Sequence, residues 1–512
     1  MRIGLFLKNL DEEYQLSIFK GIEAEAAALK LELVCVQGEL LPEKLSRPGD
    51  LFPSRRCIAA DGILFLSSVL IDRPVLEYEE QLTNAFAGIP FVSIGDRLFN
   101  YHSIQVQMEK PMRELMEHLI VFHGYRKLLF VGGPAEHQDN IIREHIFRQS
   151  IARYRERFPE LSGAVVNGEF LEISGMTITR DYMRRYPDDP PDAIVAANDN
   201  MAIGVQNTLL GSGERRWRNC PVTGFDDISQ SGPELPTLTT VRQPFDALGK
   251  LAVHTLRDLV NGRDAPLTIH TEARFVIRNS CGCAAPPVEP QSAARPDERF
   301  RAGTNQYHLR YVSMLGRSLV VINTYAEMIQ PLRFFLTYLD VPRFFLVMYE
   351  RPRFNMGTGG NLIYERTPDR DISHIDKPVA INIAEFIQHT GSCSGYSHAR
   401  CLYHLRSGGE FLGLALYEAP DTVHPQLYNG LILLANTVKR LFMYGDEMER
   451  KKELEREVQK EVHRRVEVEA EVLRISEMER SRFSADLHDD ICQRLAGISM
   501  FSKSLAAHTE EN

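Results

Sequence analysis

The first half of the chain alternates short apolar runs with helical patterns, and this alternation limits the fold more than any other feature of the sequence. Between two of the runs, Tyr14–Leu29 repeats apolar residues at helical spacing. Strands separated by helices predict a doubly wound parallel sheet, in which ligands bind beyond the carboxyl ends of the strands. The runs that suit buried strands are Arg2–Leu7, Leu31–Val36, Asp61–Leu66, Pro90–Ile94 and Lys127–Val131.

Length and composition set the outer limits. A chain of 512 residues with 44% apolar and 25% charged residues is too long for one core, so several domains are expected. The net charge of −10 argues against a broadly basic nucleic-acid surface. The apolar run within Met1–Leu10 is too short for a signal peptide, and the sequence contains no apolar stretch of membrane-spanning length. We therefore expect a cytoplasmic protein with reduced cysteines and no membrane partner.

Residues 1–283 carry stretches that identify a ligand sensor by resemblance. In their sequences and in their order along the chain, these stretches resemble the effector-binding domain of lactose-repressor-type regulators and periplasmic sugar-binding proteins. The resemblance implies a two-lobed α/β domain that binds a small, sugar-like ligand in the cleft between its lobes. The stretches are IPFVSIGD (89–96), HLIVFHGYRKLLFVGGP (118–134), PDAIVAANDNMAIG (191–204), VTGFDD (222–227) and LPTLTTVRQPFDALGKLA (235–252).

The same resemblance gives the candidate ligand contacts. Carboxylates accept hydrogen bonds from hydroxyl groups and arginine donates them, so these residue types suit a polyol. Alternatives remain open, because Asp226 and Asp227 can cap a turn and Arg143 can pair with a surface carboxylate. Around Arg143 the sequence AEHQDNIIREHIF also departs from the family pattern. The candidates are Asp96, Arg143, Asn198, Asp199 and Asp226.

The start of the chain bears on DNA binding. Repressors of the lactose type carry a helix-turn-helix ahead of the effector domain. Here the first predicted strand begins at Arg2. We therefore expect no nucleic-acid partner.

A linker and a smaller module follow. Residues 284–303 are rich in proline, alanine and charge, which predicts an exposed connector. Residues 304–445 predict a small α/β module, by analogy GAF- or PAS-like. Its predicted elements are a helix over Tyr307–Tyr338 broken at Pro331, strands Phe344–Tyr349 and Val379–Ile383, a hairpin of Ala399–Arg406 and Glu410–Tyr417, and a helix over Leu427–Leu441.

Residues 446–480 lack glycine and proline and are dominated by glutamate, arginine and lysine. This composition predicts a long helix. It is either a solvated single helix or a parallel two-stranded coiled coil that would make the protein a homodimer. The coiled coil is favoured by one apolar seam, which comprises Leu454, Val458, Val462, Val466 and Leu473.

The seam continues into the helical pattern of Glu479–Lys503, where His488 lies at the edge of an apolar stripe. A partly exposed neutral imidazole is a competent nucleophile, and the adjacent Asp489 can orient it. Gln493, one turn further on, can position a water molecule. The alternative is an ordinary surface histidine.

The longer pattern LHDDICQ, with Arg480 and Arg482 upstream, resembles the phosphoacceptor helix of nitrate-sensor-like histidine kinases. Asp486 stands where that subfamily usually has glutamate. The resemblance implies that residues 481–512 are a partial dimerisation and phosphoacceptor domain. It assigns phosphorylation to His488 and supporting roles to Asp489 and Gln493. No ATP site is recognisable, so ATP and magnesium would come from a missing or separate ATPase domain, and the chain itself needs no cofactor.

No metal site is predicted. The pair Cys281 and Cys283 lacks partners nearby in sequence, and two thiols alone make a weak site. The spacing of Cys393, His398, Cys401 and His404 matches no zinc pattern.

Together these patterns predict the sensory part of a two-component histidine kinase, with a response regulator as partner and its own enzyme activity uncertain. The alternative is a non-catalytic ligand-binding or scaffold protein that acts through its coiled coil.

Overall fold

The computed structural model describes residues 1–37, 58–71, 82, 86–98, 100–228, 237–284, 310–353, 358–390, 399–418 and 424–509. The chain divides into two compact units, Met1–Lys439 and Arg440–Asn512. The helices are α1 Glu13–Ala28, α2 Ser67–Leu70, α3 Glu109–Glu117, α4 Gln138–Arg155, α5 Glu172–Arg185, α6 Asp199–Leu210, α7 Arg215–Arg218, α8 Phe245–Val260, α9 at 310–320, α10 Tyr325–Tyr338, α11 Ile383–His389 and α12 His424–Thr509. The strands are β1 Arg2–Leu7, β2 Glu32–Gln37, β3 Gly62–Leu66, β4 Phe91–Ile94, β5 His102–Gln107, β6 Lys127–Gly132, β7 Ser162–Asn167, β8 Ala193–Ala196, β9 Val222–Thr223, β10 Thr240–Arg242, β11 Thr268–Glu272, β12 Arg274–Val276, β13 Arg343–Arg353, β14 Gly359–Thr367, β15 Arg370–Ser373, β16 Val379–Asn382, β17 Arg400–Ser407 and β18 Glu410–Glu418.

The first lobe is built on a parallel sheet with strand order β11-β5-β4-β3-β1-β2. Its central strands are apolar and buried on both faces, as expected for a sheet covered by helices. Helices α1 and α8 pack closely because both carry glycine at the contact. A Cβ on Gly249 would lie 2.6 Å from the backbone nitrogen of Ile22. The predicted doubly wound sheet is confirmed here, with strand ends shifted by about one residue.

The second lobe has its own parallel sheet, in the order β7-β6-β8-β9. Large side chains fill the space between this sheet and its helices, among them Phe130, Phe147 and Trp217. Trp217 also donates its indole N–H to the carbonyl oxygen of Pro187 at 2.9 Å. The two-lobed α/β architecture predicted for the first part of the chain is confirmed.

The next module is antiparallel, with β13 between β14 and β18. The predicted hairpin is present, and Gly408 and Gly409 turn it with φ values of 60° and 81°. The predicted break at Pro331 is wrong, because α10 continues through that residue. The helix begins instead after Thr324, whose hydroxyl accepts a hydrogen bond from the Glu327 backbone N–H at 3.4 Å.

The parallel sheet of the first lobe and the antiparallel sheet of the module join edge to edge. Strand β2 pairs in parallel with β17, and Cys35 lies opposite Cys401. The side chain of Gln37 donates to the Tyr417 hydroxyl at 2.7 Å, and Arg400 forms an ion pair with Glu32. This pairing covers an edge of each sheet that would otherwise leave backbone groups unpaired.

Helix α12 runs without interruption through the charged stretch, so the predicted helix is confirmed. Leu454 and Val462 on the predicted seam are 61% and 55% exposed. Among the helices that the structure describes, none is long and apolar enough to cross a lipid bilayer.

Candidate functional site

Polar side chains from both lobes meet where the parallel strands end. This location is the one at which doubly wound sheets bind ligands. From the first lobe the residues are Asn9 after β1, Ser67 and Ser68 after β3, and Asp96 after β4. From the second lobe they are His137 after β6, Asn198 after β8 and Asp226 after β9, and the aromatic residue Phe170 follows β7.

A network of hydrogen bonds fixes Asp96 in the first lobe. Its backbone N–H donates to the Ser67 hydroxyl at 2.8 Å, and the Ser93 hydroxyl donates to its carbonyl oxygen at 2.7 Å. Burial and, to a lesser extent, the nearby Asp139 raise the pKa of the Asp96 carboxyl to about 7, although Arg143 opposes the shift. The Asp96 backbone is therefore held in place, and the carboxyl is close to its titration point at neutral pH.

Arg143, on α4, is the central cation of the cleft. It is 3% exposed, donates to the carbonyl oxygen of Ala197 at 2.9 Å, and pairs with Asp139 at 3.1 Å. The guanidinium carbon lies 3.9 Å from the centre of the Phe225 ring, a cation–π contact. Arg143 therefore does pair with a carboxylate, as the alternative held, but this carboxylate lies in the cleft, where it interacts with Asp96.

Asp226 and Asp227 have different surroundings. The Asp226 carboxyl accepts a hydrogen bond from the Gln243 side chain at 2.6 Å, and burial raises its pKa to about 7 although Arg143 lowers it. Its φ of 115° is in the left-handed half of the backbone map. Asp227 instead pairs with Arg278 at 2.6 Å and with Arg242. Asp227 thus anchors the turn and Asp226 interacts with the cleft cation.

Asn198 and Asp199 use their side chains to hold backbone loops. Asn198 caps α6 by accepting from the Met201 N–H at 2.9 Å, and it donates to the Phe170 carbonyl oxygen at 2.9 Å. Asp199 accepts from the Ile228 N–H at 3.0 Å and from the Thr240 hydroxyl at 2.7 Å. Burial raises the Asp199 pKa well above its ordinary value. A direct ligand contact by Asp199 remains a prediction.

Sequence reasoning missed the residues that join the lobes. His137 donates from Nε2 to the Ser68 carbonyl oxygen at 3.0 Å across the cleft, while its Nδ1 accepts from the backbone N–H of Asp139 at 3.2 Å. The carbonyl can only accept, so this ring carries its proton on Nε2. Within the first lobe, the Ser68 hydroxyl lies 2.9 Å from the Tyr14 hydroxyl. Their positions in the sequence could have identified them, since Ser68 and His137 each lie shortly after a predicted strand.

Phe170 was also missed. Its φ of 58° is unusual for a bulky residue, and such strain clusters at ligand sites. Its ring packs over Gly133, where a Cβ would lie 2.3 Å from the ring, and edge-on to His137 at 5.0 Å. Phe170 therefore gives the cleft an aromatic wall.

The residues predicted to carry phosphotransfer lie in the other unit, on α12. His488, Asp489 and Gln493 are all exposed. The Cys492 sulfur lies 3.6 Å from Nε2 of the His488 ring. Asp489 has no described contact with the ring.

The first part of the chain has a two-lobed α/β fold of the periplasmic-binding-protein-like type, and residues 116–281 match the family described as periplasmic binding protein-like domain. The chain is 27% identical over 283 residues to the HTH-type transcriptional repressor MelR of Bacillus subtilis (strain 168), covering 54% of this chain and 76% of the relative. It is 24% identical over 257 residues to the ribose operon repressor of Escherichia coli (strain K12), covering 50% and 74%. A dimeric Lac repressor structure with an 11-residue C-terminal deletion is 21% identical with a TM-score of 0.46, covering 55% of this chain and 98% of that one.

These relatives correct several expectations. They are transcriptional repressors, so the prediction of a two-component histidine kinase, with phosphorylation of His488 and a response-regulator partner, is wrong. The expectation of no nucleic-acid partner is wrong for the same reason. A short motif on an exposed, charged helix was weaker evidence than matches extending over half of the chain. The predicted cytoplasmic location agrees with these relatives, which are repressors of transcription.

Proposed function

We propose that this chain is a small-molecule-responsive regulator whose cleft binds a hydroxyl-rich, sugar-like ligand. The observation that carries the proposal is the environment of Arg143. This buried cation is close to carboxyl groups from both lobes. Its ion pair with Asp139 leaves other N–H groups of the guanidinium available as donors. Among the described residues, Nε of Arg143 is buried without a hydrogen-bond acceptor. A buried donor without a partner costs free energy, and a ligand oxygen would satisfy it.

The other groups suit the same ligand class. Asp96 and Asp226 each have a pKa of about 7, so at neutral pH they can accept from a hydroxyl group or donate to one. Phe170 and Phe225 supply apolar ring faces beside these polar groups. A sugar presents the same combination, with hydroxyl groups around its edge and C–H groups on its faces.

The relatives support a regulatory role for this binding. They are named as repressors, one of them of the ribose operon. We infer that the ligand changes how tightly the lobes are held, because the hydrogen bond from His137 to Ser68 crosses the cleft between them. The altered arrangement of the lobes would then change the activity of the protein as a regulator of transcription.

Isothermal titration calorimetry of the full chain with ribose, lactose and a panel of other mono- and disaccharides tests the proposal. At least one sugar should bind, and Arg143→Gln should weaken that binding by about 10-fold to 100-fold, the equivalent of a lost charge-assisted hydrogen bond. Arg148→Gln is the matched control, because Arg148 is on the same helix and its side chain is 60% exposed. Binding that is unchanged by Arg143→Gln, or no binding across the panel, would refute the proposal.

We further propose that residues 304–445 form a GAF- or PAS-like module and that α12 pairs with α12 of a second copy. The antiparallel sheet supports the first statement, since it contacts α10 through the Arg366–Thr337 hydrogen bond and α11 through Ile383 and Ile387. The exposed apolar seam supports the second, since Val458 and Val466 are 54% and 57% exposed. Sedimentation equilibrium should give a dimer for the wild type and a monomer for the Val458→Glu/Val466→Glu double variant. A monomeric wild type, or a dimeric variant, would contradict the pairing.

A further inference from the structure

Four side chains that are far apart in sequence converge at one end of the second lobe. The Nε2 atoms of His118 and His123 lie 3.2 Å apart. The Cys283 sulfur lies 3.4 Å from each of them, and the Cys281 sulfur lies 3.5 Å from His118 Nε2. All four of these atoms lie within 4.8 Å of one another. This cluster of His118, His123, Cys281 and Cys283 is separate from the cleft residues.

Local backbone structure aims the two histidines at the same point. Residues five apart on an α-helix are about 140° apart around the axis and face different directions. Here His118–Phe122 forms a π-helical turn, closed by a hydrogen bond from the His123 N–H to the His118 carbonyl oxygen at 3.0 Å. The wider turn brings residues five apart onto nearly the same face, and such turns are frequent at functional sites.

A tight turn aims the two thiols. Gly282 has a φ of 97°, and a Cβ at this position would lie 2.6 Å from the Tyr125 hydroxyl oxygen. Only glycine fits there without strain. The Tyr125 hydroxyl donates to the Cys281 carbonyl oxygen at 3.0 Å, and the Tyr125 ring stacks on His123 with centroids 5.1 Å apart. The cysteine turn and the histidine turn are therefore locked to each other.

The spacing of the atoms matches the edges of a metal tetrahedron. Zinc binds histidine nitrogen at about 2.0–2.1 Å and cysteine sulfur at about 2.3 Å, so a tetrahedral site has edges of about 3.3 Å between two nitrogens and about 3.6 Å between sulfur and nitrogen. The observed nitrogen–nitrogen distance is 3.2 Å, and three of the four sulfur–nitrogen distances are 3.4–3.5 Å. The donor set, two imidazoles and two thiols, is one that zinc prefers in structural sites.

We propose that His118, His123, Cys281 and Cys283 bind one Zn²⁺ ion in a closed, structural site. Both thiols release their protons to solvent on binding, so two thiolates balance the charge of the metal ion. The ion would tie the turn that follows α3 to the end of the described second lobe. It would thereby fix the direction in which the chain leaves this lobe towards the module.

Metal analysis of the tag-free full chain tests the site. Mass spectrometry of the purified protein should find about one zinc per chain in the wild type and only background zinc in Cys281→Ser/Cys283→Ser and in His118→Gln/His123→Gln. Cys220→Ser and His145→Gln are matched controls in the same lobe, and they should keep the metal. Zinc at background in the wild type, or retained in the double variants, would overturn the proposal.

A second measurement keeps the test valid if a double variant folds poorly. Wild-type protein stripped with a chelator and loaded with Co²⁺ should show the intense visible bands of tetrahedral cobalt together with thiolate-to-metal charge transfer. Both signals should disappear when one equivalent of Zn²⁺ is added. Weak bands of octahedral cobalt without charge transfer would mean that these thiols do not bind the metal.

Discussion

Replacing Asp226 with asparagine should stabilise the protein at alkaline pH and leave it nearly unchanged at acidic pH. Burial raises the pKa of this carboxyl from 3.8 to about 7. Between these values the folded protein holds a proton that the unfolded chain has released, so the free energy of unfolding falls as the pH rises from about 4 to about 7. The difference corresponds to at most about 4 kcal/mol at pH values above 7. Asparagine removes this cost, keeps the oxygen that accepts from Gln243, and tolerates the positive φ.

The assay is urea unfolding at several pH values between about 5 and 8, followed by tryptophan fluorescence. The only tryptophan, Trp217, is buried in the same lobe as Asp226, so its emission reports the unfolding of that lobe. We expect the wild-type midpoint to decrease with pH more steeply than the midpoint of Asp226→Asn. Asp188→Asn is a control, because Asp188 is exposed. Parallel pH profiles for the wild type and Asp226→Asn would refute the argument that burial holds this proton.

Three further substitutions and one control test helix packing, helix capping and the backbone conformation of a turn. Gly249→Ala should lower the free energy of unfolding by about 1–3 kcal/mol, because the new Cβ would meet the α1 backbone. Gly213 has open space around it, so the control Gly213→Ala should have little effect. Both variants are measured by scanning calorimetry. Thr324→Ala should cost about 1 kcal/mol by removing the cap of α10, measured by urea unfolding followed by circular dichroism. Gly409→Ala should cost about 1–2 kcal/mol in the same assay, because its φ is 81°.

The sequence predicted local structure well wherever apolar patterns and turns decide it. The strands of the first lobe, the hairpin at Gly408 and Gly409, and the long helix all appear close to their predicted positions. The error at Pro331 has a clear origin, since the nearby Thr324-x-x-Glu327 capping pattern marks the true start of the helix. The cap determines where the helix begins, and the proline is accommodated six residues further on.

Long-range pairing could not be predicted. The joining of β2 to β17 depends on two sheet edges that are far apart in sequence, and no local pattern encodes it. The convergence of His118, His123, Cys281 and Cys283 was missed for the same reason, because Cys283 and His123 are 160 positions apart. In the cleft, Asp96 and Arg143 were predicted as ligand contacts, but their partner Asp139 became evident only from the fold.

The central claim is that a sugar-like ligand binds where the two lobes meet. Amide hydrogen exchange with and without a sugar that binds tests it most directly. We expect slower exchange in the segments that follow the strands, around Asp96, Asn198 and Asp226, and unchanged exchange in the antiparallel module. Protection confined to the module, with no change at these three segments, would contradict it.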